Sequence, residues 1–572
     1  MRSSFFGLNV AQQGLYTART ALDITNHNIS NAETEGYSRQ YGVQKALKPL
    51  GNQARGMVGT GSSIDTVEQY RSEYLDNKFW DMSKDLGVYE VKQDALEQLE
   101  MVFNEPSDVG FTAYFDDVFK SLQGLSKNPS DTASKTNFVN SLGSFTTYLN
   151  DMSKQMSSLQ NEANFGVKTS VDQINFLATQ ISQINQQVNN LEITGGRAND
   201  LRDERLRLVD KLSKIVSADM KFTTDVNGVE HFDVTINGQQ LVHDATANFL
   251  KVEPKTYASN PEDGVDMYDI YWQSGKRLYI ENPNLSGELK GYLDVRDGNN
   301  KDNFTGSITA GAGTTSITVD NLSRHDIPTS GQITVNGLKL DYTGYTYDDG
   351  TGEMDFTLDP ATPCPPGAGS CSIGVPVAFK GIPYYKQQLN EFSRTIARSI
   401  NEVHEAGDSG TGEPLLMYKN YSGVPPLQTG TPSSYDLLTV DDLIVNQAIV
   451  DDVSLLKTKF NAEDGEGSND LVVAMLDLRH DDSMFAKGVP DNFMQAMISE
   501  LGIDAKQVNS FKSGQEQLTS LVINQRLSIS DVDLDEEAIN LVKFQQAYNM
   551  AAKILTVFDE IYNVTINQMG VR

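Results

Sequence analysis

Few side chains that stand close together in this chain could do chemistry. His404-Glu405 is the one His-Glu pair, the opening of a zinc-protease helix. The second histidine of such a site would fall at position 408, which is Asp408, and Gly407 ends the helix first. Adjacent carboxylates occur at Asp481-Asp482 and Glu536-Glu537. Acid–base work needs two carboxylates in different environments facing one substrate. Neighbours in sequence read instead as a solvated face and a charged helix start. There is no Gly-x-Ser-x-Gly elbow and no Walker-type phosphate loop, and the 6 histidines show no metal-ligand spacing. Cys364 and Cys371 form either a local disulfide in an oxidising compartment or two exposed thiols in a reducing one. His27, among asparagines, is a hydrogen-bonding turn residue or a pH-sensitive contact in a packed assembly. The expectation is a non-enzyme with no catalytic residues, no cofactor and no metal.

The stronger pattern lies in the elements. Leu541, Phe544, Tyr548, Ala551, Leu555, Phe558, Tyr562, Ile566 and Met569 repeat at alternating three- and four-residue steps, the seam of a coiled coil. Asp533-x-x-Glu536 is a capping-box-like helix start, and no Pro or Gly follows before Gly570. Near the other end Leu8, Ala11, Leu15, Ala18, Leu22, Thr25 and Ile29 keep the same spacing. The two ends are expected to pair, although core-facing helices share this pattern over few heptads.

Between them, residues 41–64 read as loop, and a long helix is expected from Thr66 to a stop near Asn104-Glu105-Pro106. Helices follow at 111–125, 134–193 and 199–215. From about 219 to 300 the runs are strand-like, with an Asn237-Gly238 hairpin turn. Residues 301–380 are Gly-, Thr- and Asp-rich alternating strands. Helix returns at Pro383, stops at Gly407, and dominates again from 471 to 527. Trp80 and Trp272 read as core anchors. The fold class is thus multidomain α plus β. Residues 1–40 and 531–572 form a terminal coiled-coil domain. Residues 41–218 and 381–530 form a mainly helical bundle domain, with a β or loop portion at 408–470. The outer β-rich domains, 219–300 and the insertion 301–380, lie between the helical halves.

A net charge of −31 argues against nucleic acid and anionic membranes as partners. No apolar run approaches the roughly 20 residues of a membrane span, and the N-terminus does not read as a cleaved signal peptide.

The stretch Ala21 to Gln40, with Asn28-Ile29-Ser30-Asn31-Ala32 and Gly36-Tyr37-Ser38-Arg39-Gln40, resembles the N-terminal signature of bacterial flagellar rod, hook and hook-associated proteins. Ser30 stands where Ala is usual and Glu35 where Pro is usual. Ser528 to Glu537 with Phe544-Gln545-Gln546-Ala547-Tyr548 is similar to that family's C-terminal helix. Tyr37-Ser38-Arg39-Gln40, Asn199 to Arg205 and Ile400 to Gly407 point within it to the hook-associated protein 1 (FlgK) family. The resemblance covers about 1–300 and 381–572.

It implies a structural, extracellular component of the flagellum at the hook–filament junction, exported through the flagellar type III apparatus without a cleaved signal peptide. The implied partners are other copies in a ring-like layer, hook subunits, the distal hook-associated protein, and a cytoplasmic export chaperone on the C-terminal helix. The implied assembly seam is Leu8, Leu15, Leu22, Ile29, Leu541, Phe544, Tyr548, Leu555, Phe558, Tyr562 and Ile566. The implied motif residues are Asn28, Asn31, Gly36, Tyr37, Arg39 and Gln40. In a free monomer the terminal helices would fray, and neighbours in the tube would order them. Alternatives are another axial protein such as the hook subunit, or a flagellum-borne, adhesin-like protein using 301–380.

Overall fold

The structure, a computed structural model, describes residues 6–52, 56–103, 110–193, 195–224, 230–258, 260, 263, 266–310, 315–348, 351–361, 364, 369–419, 435 and 438–568. The helix stop expected at 104–106 and the stripe position Met569 lie outside these.

The two ends pair. Helix α1 (Phe6–Ser30) lies along α12 (Leu534–Asn563), which runs on into a π-helical turn, Val564–Gln568. Asp533 caps α12 by accepting from the backbone N–H of Asp535 at 2.9 Å and of Glu536 at 3.2 Å. The helices approach so closely at Gly7 that a Cβ there would stand 2.4 Å from the Phe558 ring.

The loop expected at 41–64 and the helix expected from Thr66 are replaced by a β-ribbon. Strand β1 (Gln40–Ala46) pairs antiparallel with β4 (Ser62–Gln69), and β2 (Leu50–Asn52) pairs with β3 (Gly56–Val58) toward its tip. The helix α2 starts only at Glu73 and ends at Phe103. A two-stranded ribbon is marginal alone; packing on α1 is what makes β structure win over the local helical spacing.

The helical body consists of α2, α3 (Phe111–Lys127), α4 (Thr132–Glu192), α5 (Asn199–Ile215), α7 (Ile382–Glu405), α10 (Asp470–Asp477) and α11 (Pro490–Ser530). At 61 residues α4 is about 90 Å long. An aromatic cluster of Phe111, Phe115, Phe145, Phe392, Phe485 and Phe493 fixes α3, α4, α7 and α11 on one another. Gly407 follows α7, but the left-handed φ values belong to Asp408 (48°) and Ser409 (65°). At Gly407 close approach matters instead: a Cβ would meet that of Lys457 at 2.6 Å. Short elements α8 (Gly407–Gly410), β17 (Leu416–Tyr418), β18 (Leu443–Val445) and α9 (Gln447–Asp451) lie between α7 and α10.

A second core joins α4 and α5 to a four-stranded antiparallel sheet, β5 (Asp219–Thr224), β6 (Glu230–Ile236), β7 (Gln239–His243) and β8 (Thr246–Ala247). Asn237 and Gly238 turn β6 into β7 with φ 51° and 74°. Trp272, on β10 (Tyr268–Trp272) paired with β9 (Leu250–Pro254), is 1% exposed, and Trp80 is 6% exposed. The strand-like reading to 300 fails at its end. Residues Glu288–Asp297 form helix α6, with Leu289 and Leu293 buried between α2 and α4. Three turns give too short a period to stand out against neighbouring strands.

Residues from Phe304 to Ile373 close a six-stranded antiparallel barrel: β11 (Phe304–Ala310), β12 (Ser316–Asp320), β13 (Gly331–Val335), β14 (Leu338–Asp348), β15 (Glu353–Leu358) and β16 (Ser370–Ile373). Both cysteines are buried among its apolar side chains and unbridged, not exposed thiols. Burial pushes the Cys371 thiol up to about 12. Asp326 beside the barrel takes Arg324 at 2.7 Å and Arg394 of α7 at 2.8 Å, which ties the barrel to the body.

Candidate assembly site at the joined termini

The residues after α1 gather both chain ends and the body into one polar knot. Asn28 is 1% exposed. Its Oδ1 accepts from Gln40 N at 2.9 Å and from the Tyr37 hydroxyl at 2.8 Å, while its Nδ2 donates to Gln40 O at 2.9 Å. The amide side chain thus stands in for a strand partner at the start of β1. Tyr37 gives its one proton to Asn28, so its oxygen accepts from His27 Nδ1 at 2.9 Å. Burial pushes the Tyr37 phenol up, and Asp200 and Asp203 add to it. His27 Nε2 stands 3.4 Å from Asp200, whose carboxylate also accepts from Gln40 Nε2 at 2.7 Å. Asn31 Nδ2 donates to His27 O at 3.0 Å, closing the helix end. Gly36 makes the reversal with φ 80°.

Ser38 ties this turn to the body. Its N–H and hydroxyl both donate to Asp203 of α5, at 2.9 and 2.8 Å. Gln69 and Arg71 donate to the same carboxylate at 2.7 and 3.1 Å. Burial nevertheless pushes Asp203 up to about 6, against the pull of Ser38 and Arg71. Arg71 continues to Asp76 at 2.8 Å, Asp76 to Arg526 of α11 at 3.0 Å, and Arg526 to Asp210 at 3.0 Å. Three helices and the ribbon are therefore cross-linked by alternating charges.

Arg39 reaches the other chain end. Its guanidinium holds Glu537, 2% exposed, at 2.8 Å and Glu536 at 2.7 Å, and its N–H donates to Ser530 O at 2.8 Å. The Glu536-Glu537 pair is thus neither a dyad nor merely a solvated helix start. Asp203, Arg71, Asp76, Arg526 and Glu537 are the residues that sequence reading missed. The signal for Glu537 was present: stepping the α12 seam back four residues from Leu541 lands on a carboxylate.

Of the expected seam, Leu8, Leu15, Leu22 and Ile29 on α1 and Leu541, Phe544, Tyr548, Leu555, Phe558 and Tyr562 on α12 are half-buried, while Ile566 in the π-helical turn is 62% exposed. Seen down the helix, α12 also carries a second stripe on another side. Ile539, Val542, Met550, Ile554, Val557 and Ile561, with Gln546 as the polar rung, are each 49–68% exposed. Isolated exposed aliphatics are ordinary, but a continuous stripe is an interaction surface. Leu518, Leu521 and Ile529 on α11 are also exposed.

Among the described residues no group of three or more His, Cys, Asp or Glu is placed to hold a metal, and no helix is long and apolar enough to cross a membrane. A family described as the flagellar hook-associated protein FlgK helical domain matches residues 96–336, and one described as the flagellar basal body rod FlgEFG protein C-terminal matches 523–569. The chain is similar along its whole length to flagellar hook-associated protein 1 of Bacillus subtilis, 26% identical over 581 residues, covering 100% of this chain and 99% of that one. The Escherichia coli protein of the same name is 26% identical over 590 residues, covering 98% and 99%. Among solved structures, the flagellar hook junction protein FlgK of Burkholderia pseudomallei aligns with a TM-score of 0.48 at 13% identity, over 80% of this chain and 100% of that one. These relatives are flagellar hook-associated proteins and not enzymes. Along its whole length the chain is thus similar to flagellar hook-associated proteins of the FlgK type, structural components of the flagellum.

Proposed function

We propose that the chain builds the hook–filament junction by packing its joined terminal helices against those of neighbouring copies in a ring-like layer. The carrying observation is the second apolar stripe of α12, which the pairing with α1 leaves uncovered. Fully burying one aliphatic side chain is worth about 1.5–3 kcal/mol, so each half-exposed rung gains about 1 kcal/mol when a neighbour covers it. Hook subunits on one side and the distal hook-associated protein on the other are the expected contacts of such a layer. Before export through the type III apparatus the same stripe would need a cytoplasmic chaperone, because an uncovered apolar helix face invites aggregation.

Ile554→Asp with Val557→Asp tests this. The double variant should remain a folded monomer with an unchanged far-ultraviolet circular dichroism spectrum, yet fail to restore swimming to a strain lacking the protein. Normal swimming with the variant incorporated would show that the stripe is not an assembly surface.

A further inference from the structure

The barrel wall made by β11, β16 and β13 has a face of a different character from the rest of the protein. Side chains alternate along each strand. Phe304 and Ile308, Cys371 and Ile373, Ile333 and Val335 point inward and are buried. The outward positions that border the cavity are Thr305 and Ser307, Ser370 and Ser372, and Thr334 with Asn336 just past the end of β13; the other outward position of β13, Gln332, turns away to Asp341. Strand pairing sets them in two rows across three strands. Thr305 and Thr334 flank Ser372, and Ser307 lies opposite Ser370, whose carbonyl accepts from Asn336 N at 3.2 Å. With strands about 4.8 Å apart and a two-residue repeat of about 6.7 Å, the result is a grid of five hydroxyls and one amide. It borders a cavity of about 400 Å³, within the roughly 300–1,000 Å³ of ligand sites.

We propose that this face binds a neutral, hydroxyl-rich ligand: a stretch of uncharged polysaccharide. Three observations carry the assignment. The cavity is lined without a single Asp, Glu, Lys, Arg or His, although 22% of the chain is charged. The opposite outer wall, by contrast, carries Glu353 and Asp355. Next, among the described residues the side chains of the grid have no hydrogen bond to the rest of the protein, whereas hydroxyls elsewhere turn back onto it, as Ser323 does to Asn303 O and Thr246 to His243 O. Finally, the barrel is closed, so this wall has no free edge to accept an added strand from another protein.

A hydroxyl both donates and accepts, and so does an amide, which matches a ligand that does the same every few ångströms and bears no charge. A phosphate or carboxylate would find no cation here, and an apolar chain would strip water from six polar groups without replacing its hydrogen bonds. Binding through hydrogen bonds alone exchanges water for sugar at little net gain, so one site should work in the millimolar range. This assignment is independent of the assembly reading.

The test is saturation-transfer nuclear magnetic resonance on the full chain with a panel of neutral gluco-, galacto- and manno-oligosaccharides at millimolar concentration. Transfer to at least one of them is expected. It should weaken about tenfold or more in Ser307→Lys/Ser370→Lys, while Thr357→Lys on the opposite wall leaves it intact. If the lysine pair lowers the melting temperature, the milder Ser307→Ala/Thr334→Ala supplies the same comparison on a folded barrel. No transfer to any neutral oligosaccharide, transfer that survives the grid variants, or equal transfer to anionic oligosaccharides would each overturn the assignment. A grid variant that instead changes the oligomeric state would reassign the face to contact between copies, which also overturns it.

Discussion

Arg39→Ala should detach the start of α12 from the body. Arg39 pairs with Glu537, whose side chain is 2% exposed, and it also holds Glu536, which is 59% exposed. The exposed contact is worth about 0–1 kcal/mol. The buried one dominates, because removing one partner of a buried pair strands the other charge at a cost of about 3–5 kcal/mol. Glu537 can escape by unwinding the first turn of α12 into water, which caps the penalty. The expected loss is therefore about 2–4 kcal/mol, felt locally. A chain of several domains does not unfold in one step, so the assay is hydrogen–deuterium exchange of residues 534–545 in the variant against the parent. Arg39→Ala should speed exchange there by about thirtyfold or more. Adding Glu537→Gln should return most of the protection, because no charge is then left buried. Unchanged exchange in the single variant, or a double variant no better than the single, would refute the clamp.

Other consequences follow from the same contacts. Asp203 titrates near 6 when folded because burial disfavours its charge, against about 3.9 unfolded. Its contribution is therefore fully present below about pH 4 and is lost as pH rises through about 6. The two units amount to about 3 kcal/mol. Asp203→Asn should flatten the fall in stability between pH 4 and 7 by about that much in denaturant titrations. Gly7→Val would push a side chain into the Phe558 ring, 2.4 Å from where its Cβ must stand; a cost of about 1–3 kcal/mol should appear as faster exchange over residues 6–12. The charged stripe variant Ile554→Asp/Val557→Asp should separate folding from assembly, since those side chains are 49% and 53% exposed in the single chain.

Much of this architecture is legible in the sequence because the long elements repeat one pattern many times. The start of α5 at Asn199, the Asn237-Gly238 turn and the apolar steps of α1 and α12 are local signals that packing reinforces. The ribbon of β1 and β4 was hidden because Thr66 and Gln69 satisfy a helix-cap spacing while the decisive partner, Gln40–Ala46, lies some twenty residues upstream. Helix α6 was hidden by brevity. The knot was only half visible. Ser38 and Arg39 stand out by motif, but their partners Asp203 and Glu537 are 165 and 498 residues away. Charges on helices normally read as solvated, and only the fold shows that these are turned inward. The second stripe of α12 was overlooked for the opposite reason: the seam explained enough apolar residues that the remaining ones passed as surface.

Labelling a cysteine placed on this stripe tells whether neighbouring copies cover it. Both native cysteines are buried in the barrel, so Val557→Cys supplies the reactive thiol. In the monomer, where Val557 is 53% exposed, a maleimide should label position 557 readily. In isolated flagella carrying the variant, labelling at 557 should fall to background, while a control cysteine on the exposed outer wall of the barrel at Thr357 stays reactive. Equal labelling of position 557 in monomer and flagellum would mean that α12 faces solvent in the assembly, and the account of how this chain builds the junction would be wrong.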